Sequence, residues 1–318
     1  MRNCSAIANG MMTMPKRLAA AVALIAACLA NMAQAQQHLP APRPIEAVPA
    51  AEALHPALWK VADADTTIYL FGTIHLLPPG IEWFDGALAN AVESADELVT
   101  EIPELADGTV QSSLLDRAVL PKSKSLRGLL TKQERAKFEA AMRRYQLPID
   151  SFDRFKPWYA AVVLATLPLL RDGFAVADGV ESTLAERVKA RGKPRVGLET
   201  LDYQLALFDS LPLATQRRYL SEVIDALPTL RQDVAKMVAQ WAKGETDKLA
   251  ALMNAAADDP AMVATLLTNR NRQWASWIKA RLARPGTSFV AVGAGHLGGT
   301  GSLQDQLNRL GITTTRIQ

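Results

Sequence analysis

The chain is poor in cysteine and histidine, and it carries little net charge. Its only two cysteines in 318 residues are Cys4 and Cys28. Both lie in the first 35 residues, which read as a cleavable signal peptide (1–35). Lys16 and Arg17 form its positive end, Leu18 to Ala30 its apolar stretch and Ala33-Gln34-Ala35 an A-x-A cleavage site. Cleavage after Ala35 leaves 283 residues without cysteine. That excludes disulfides, cysteine nucleophiles, thiolate metal sites and iron–sulfur clusters. Loss of Arg2, Lys16 and Arg17 leaves 32 basic residues against 32 acidic ones. A mature charge near zero argues against nucleic acid as a partner. Long apolar runs are missing too. The strongly apolar segment Trp158–Leu170 is short and contains Pro168, so it reads as a buried helix and not as a membrane span of the mature chain. No His-Glu-x-x-His, no Gly-x-Ser-x-Gly and no repeat of solenoid period is present. The expected location is periplasmic or secreted. Ile25-Ala26-Ala27-Cys28 also resembles a lipobox, and the alternative is a lipid anchor at Cys28.

What is present starts with two apolar runs that each end in the same frame. Thr67 to Phe71 leads into Gly72-Thr73-Ile74-His75, and Ser288 to Val292 leads into Gly293-Ala294-Gly295-His296. Apolar runs without polar alternation read as strands buried on both faces, as in a parallel sheet. A glycine at such a strand end allows a sharp turn or a close approach. The carboxyl ends of parallel strands are where α/β sheets bind ligands. Further strands are expected at 58–61, 97–100, 194–198 and 312–317. Residues 36–56 read as a flexible leader. Residues 57–318 read as a single α/β domain with a mixed, mostly parallel sheet. Large helical insertions at about 105–191 and 201–282 are expected to form a lid. Thr131-x-x-Glu134 is a capping box that opens one of those helices.

Two of only four histidines occupy the repeated frame. His75 and His296 read either as a paired site in one crevice or as loop histidines satisfied by backbone carbonyls. Glu101 and Glu199 each end a strand, as ligand, general base or helix cap. Two imidazoles and a carboxylate would make an open metal site. On the helix around 263–282, Val263, Leu267, Trp274, Trp277, Ile278 and Arg281 are expected on one stripe. Arg270 interrupts it, and Arg272 and Lys279 face away. Arg270 reads either as a buried charge with an acidic partner or as a snorkelling arginine at the core edge. Gly293-x-Gly295-x-x-Gly298 matches a dinucleotide fingerprint, but no acid ends the following strand, so that reading is set aside.

These stretches together resemble the TraB/GumN family, which is similar to the Tiki metalloproteases and more distantly to erythromycin esterases. The likeness rests on Leu70-Phe71-Gly72-Thr73-Ile74-His75, Glu101, Gly197-Leu198-Glu199-Thr200 with Gln204, Asn269-Arg270-Asn271, and Val292-Gly293-Ala294-Gly295-His296-Leu297. The family's arginine motif usually begins with an acid, and here Asn269 stands there. The resemblance implies an α/β fold, secretion and a metal-dependent hydrolase site, with manganese or cobalt as the metal of the Tiki proteins. The expectation is a secreted hydrolase, with peptidase as one option and a peptide or small molecule as substrate. His75, His296 and Glu101 would hold a divalent manganese, cobalt or zinc ion, with Glu199 and Arg270 as catalytic residues. The alternatives are a metal-free, esterase-like hydrolase and an inactive peptide-binding module.

Overall fold

The computed structural model describes residues 54–78, 80–105, 109–254 and 260–318. The signal peptide, Cys28 and most of the 36–56 leader lie outside the described residues. Six strands form one sheet in the order β4-β3-β5-β2-β1-β6. They are β1 (Leu58–Ala62), β2 (Thr66–Thr73), β3 (Glu97–Thr100), β4 (Arg195–Gly197), β5 (Gly286–Gly293) and β6 (Thr315–Arg316). β2–β5, β3–β5 and β3–β4 pair in parallel, while β1 pairs antiparallel with β2 and β6. The α/β expectation with a mostly parallel sheet therefore holds. Asp63 explains the tight β1–β2 connection, because its carboxylate accepts the N–H groups of Asp65 and Thr66.

The central strands lack polar alternation because both sheet faces are covered. Phe71, Leu98 and Phe289 pack into the larger core with the helical segments. Their neighbours Leu70, Val99 and Val290 pack on the opposite face against Trp274, Ile278, Leu303 and Leu307. Each fully buried side chain of this size contributes roughly 1.5–3 kcal/mol. Two helical blocks interrupt the sheet, one between β3 and β4 and one between β4 and β5. The apolar segment at 158–170 is the helix Pro157–Arg171, buried along most of its length, with proline at its first turn. Among the described residues no helix is long and apolar enough to cross a membrane.

The helix carrying Arg270 departs from its expected phase. It is not continuous α-helix: Pro260–Val263 leads into a π-helical turn, Ala264–Thr268, and then into the α-helix Asn269–Leu282. In the π turn the Asn269 N–H reaches back five residues to the Ala264 carbonyl. The wider turn rotates the residues before it relative to those after it. Leu266 is therefore the buried residue of that turn, while Val263 and Leu267 are only half-buried. From Arg270 onward the stripe runs through Trp274, Ile278 and Arg281 as expected, and Asn271 and Ala275 join it.

The helix Val180–Ala190 is docked by its first residues onto the loop after β2, where the Val180 N–H donates to the Ile74 carbonyl at 3.0 Å. The approach leaves no room for a side chain at Gly179, since a Cβ there would lie 2.2 Å from the His75 carbonyl oxygen. Gly179→Ala is expected to cost about 3 kcal/mol, because two backbone segments must separate. Gly192→Ala, at φ +65° with nothing near its added carbon, is expected to cost about 1 kcal/mol from backbone strain alone. Urea unfolding of both variants checks this, and equal losses would refute the packing argument.

Candidate functional site

Parallel pairing brings four strand ends to one edge of the sheet. The register sets Thr73 of β2 opposite Gly293 of β5, and Thr100 of β3 opposite Gly197 of β4. Just beyond these ends lie His75, His296, Glu101 and Glu199. The β3–β4 ladder runs one step further, with the Glu199 N–H donating to the Glu101 carbonyl at 2.8 Å. That step places two glutamates side by side. Gly293 is needed for the approach of Glu101 to β5: a Cβ there would lie 3.2 Å from Glu101 Oε1, which accepts the Gly293 N–H at 2.8 Å.

Two adjacent buried carboxylates repel each other unless a cation lies between them. Arg270 supplies it. Nε donates to Glu199 Oε1 at 2.9 Å. Nη2 donates to Glu101 Oε2 at 2.5 Å and to Glu199 Oε2 at 2.8 Å. Nη1 donates to the Leu266 carbonyl at 3.1 Å and lies 3.3 Å from His296 Nε2. A guanidinium has five N–H groups, and five acceptors surround this one. Gln204 Nε2 donates to Glu101 and Glu199 together, and Trp274 Nε1 donates to Glu199 Oε1. Arg270 also stacks over the Trp274 ring. Of the alternatives for Arg270, the acid-paired charge is the one observed; it is not a snorkelling residue. Burial is the largest single influence on Glu101 and opposes its ionisation, but Arg270, the two histidines and the Gly293 N–H together outweigh it and lower the pKa to about 2. Burial opposes the charge of Arg270 as well, and the two carboxylates more than offset it, so its pKa is raised.

The two histidines both act on Glu101 electrostatically, yet their surroundings differ. His296 is 1% exposed. Its Nδ1 lies 2.6 Å from Asn271 Oδ1, and its ring packs on Trp274. Burial, and then the Arg270 charge, push its pKa down to about 3. His75 lies nearer the surface, at 8% exposed. Its Nδ1 meets Glu181 Oε1 at 2.7 Å. Thr73 Oγ1 donates to the same glutamate oxygen. Burial raises the Glu181 pKa, but His75 and the Thr73 hydroxyl bring it below its ordinary value.

The metal expectation is corrected here. Among the described residues no group of three His, Cys, Asp or Glu side chains is arranged to hold a metal ion. The donors are committed elsewhere. Glu101 is bound by Arg270, Gln204 and the Gly293 N–H, His296 Nε2 faces a guanidinium, and His75 is turned to Glu181. The Arg270 guanidinium lies beside Glu101 and His296, two of the three expected ligands.

Three residues in this constellation have no role that sequence reasoning finds. Glu181 looks like an ordinary acid in the first turn of a helix. Asn271 comes directly after Arg270 on the buried stripe, and nothing near it in the sequence points to His296 as its partner. Gln204 belongs to a motif, and its double donation depends on the β3–β4 pairing.

These environments lead to two expected outcomes. His296 stays neutral when folded and takes a proton near its ordinary 6.5 when unfolded, so the unfolded state binds more protons between about pH 6.5 and pH 3. Stability is therefore expected to fall on acidification through that window, by about 1.4 kcal/mol per pH unit. The carboxylates add to the loss only below about pH 4.5, where unfolded Glu101 protonates. Urea midpoints between about pH 7 and pH 5 check this, and His296→Gln should flatten the slope. Arg270→Lys leaves three donors for five acceptors and is expected to cost about 3 kcal/mol. Arg272→Lys, on the exposed face, should change stability by less than about 0.5 kcal/mol. Thermal melts of the two variants would contradict the network if they coincided.

The chain is 24% identical over 254 residues to the uncharacterized protein YbaP of Escherichia coli (strain K12), covering 79% of this chain and 92% of that one. It is 25% identical over 241 residues to the uncharacterized protein YbaP of Shigella flexneri, covering 75% of this chain and 87% of that one. No solved structure matches it. Residues 57–316 match the TraB/PrgY/gumN family, and they contain every strand and every side chain of the site just described: the chain belongs to that family.

Proposed function

We propose that the protein is a metal-free hydrolase of the esterase-like kind, with His75 as the general base. The observation that carries this reading is the His75–Glu181 pair, with Nδ1 and Oε1 2.7 Å apart at the carboxyl ends of a parallel sheet. A carboxylate beside Nδ1 stabilises the imidazolium once it forms. Nε2 is then the nitrogen that takes a proton from an attacking water and returns it to the leaving group. Thr73 holds the carboxylate in turn.

The base is assigned to His75 and not to Glu199. The Glu199 side chain is 3% exposed and already accepts from Arg270, Trp274 and Gln204. Both of its oxygens are already taken by these donors, so it turns no free acceptor toward a substrate water. Arg270 contributes through the field of its charge, since its N–H groups are engaged by the protein. A field fixed before the reaction stabilises a developing oxyanion without reorganisation. The substrate of such a site is a peptide or small-molecule ester or amide.

Turnover of a panel of aryl esters and short peptides tests the reading, with chelator present throughout. Wild type is expected to hydrolyse at least one class. His75→Gln and Glu181→Gln should each lower kcat by about 100-fold or more while both variants stay folded. Full activity in His75→Gln would sink the assignment. Absence of turnover across the panel, with retained peptide binding, would favour the binding-module alternative.

A further inference from the structure

The two Gly-x-x-His histidines share a sequence frame and differ in what faces their rings. The Asn271 amide Nδ2 lies 2.8 Å from the Gly301 carbonyl oxygen. A carbonyl only accepts, so the NH2 end of Asn271 faces Gly301 and its oxygen faces His296. That oxygen lies 2.6 Å from His296 Nδ1, so Nδ1 must carry the proton. The far end of the ring gives the same answer independently. Arg270 Nη1 is donor-only and lies 3.3 Å from His296 Nε2, so Nε2 must present its lone pair. The donors therefore run in one direction, from Arg270 through His296 and Asn271 to the Gly301 carbonyl, and the chain closes with one tautomer only.

We propose that Asn271 is a positioning residue: it holds His296 in the Nδ1–H tautomer so that Nε2 accepts the fifth N–H of Arg270. The purpose assigned to this arrangement, an immobile Arg270 charge beside the His75–Glu181 pair, rests on the hydrolytic reading. The tautomer rests on hydrogen-bond geometry alone. His296 is then an acceptor that aims a guanidinium, and proton transfer belongs to His75. A carboxylate at position 271 would undo this. It has no donor for the Gly301 carbonyl, and it would favour a second proton on the ring, setting Nε2–H against Nη1–H.

Side-chain nitrogen NMR of 15N-histidine-labelled full-length protein at neutral pH tests the proposal, with His296→Gln used to assign the resonance. The expected wild-type result is Nδ1 protonated and Nε2 bare. A proton on Nε2 of wild-type His296 would overturn it, whether or not any substrate is found. Asn271→Asp should place a proton on Nε2 and speed exchange of the Arg270 Nε–H by about 10-fold or more, the effect of about 1.4 kcal/mol of lost anchoring. Unchanged Arg270 exchange in a folded Asn271→Asp protein would count against the positioning role. Should that variant fail to fold, the wild-type tautomer decides alone. Failure of turnover in wild type with the tautomer as expected would remove the hydrolytic reading and leave the hydrogen-bond assignment standing.

Discussion

Everything at the carboxyl edge of the sheet depends on one guanidinium. Parallel pairing of β3 with β4 makes Glu101 and Glu199 neighbours, and burial makes their repulsion strong. Removing the cation would leave two unpaired carboxylates in a dry environment, an arrangement that costs several kcal/mol. Arg270 resolves this by geometry as well as charge. Its planar fork meets Glu199 at two nitrogens and Glu101 at one, and the third nitrogen turns to Leu266 and His296. A lysine at the same place would supply charge without those directions.

The π turn before Arg270 belongs to the same solution. Within it Leu266 turns inward, and its carbonyl accepts from the Arg270 side chain itself. Arg270 and Asn271 are successive residues that both reach the site. Such turns cost regular hydrogen bonding and persist where a site needs the altered register. The local cost is offset by a cluster in which the donors of Arg270, Gln204 and Trp274 all find acceptors.

The paired histidines show how far a repeated motif can mislead. Identical frames suggest identical jobs, and shared ligation of a metal is the simplest one. The partners come from elsewhere in the chain and differ: an acid on the helix Val180–Ala190 for His75, an amide on the helix Asn269–Leu282 for His296. A carboxylate stabilises a protonated ring, whereas an amide oxygen beside a guanidinium keeps it neutral. One fold thereby places an acid-paired imidazole and an amide-paired one at neighbouring strand ends.

By itself the amino-acid sequence determined the strands, their burial on both faces and the sheet edge where the polar residues gather. Those properties are local, since unbroken apolar runs ending in Gly-x-x-His and strand-terminal glutamates need no knowledge of distant segments. It also marked Arg270 as a charge on an apolar helix stripe, which needs an acid wherever it is buried. Only the tertiary structure decided that it is buried, which acids pair with it, that both take part, and that two of the residues expected to hold a metal face this arginine instead. It alone brought Glu181 to His75 and Asn271 to His296, from helices more than one hundred residues and twenty-five residues away in the chain. Those pairings depend on how helices dock against strand ends. Docking is set by packing of surfaces assembled from the whole chain, and no short window of sequence contains it.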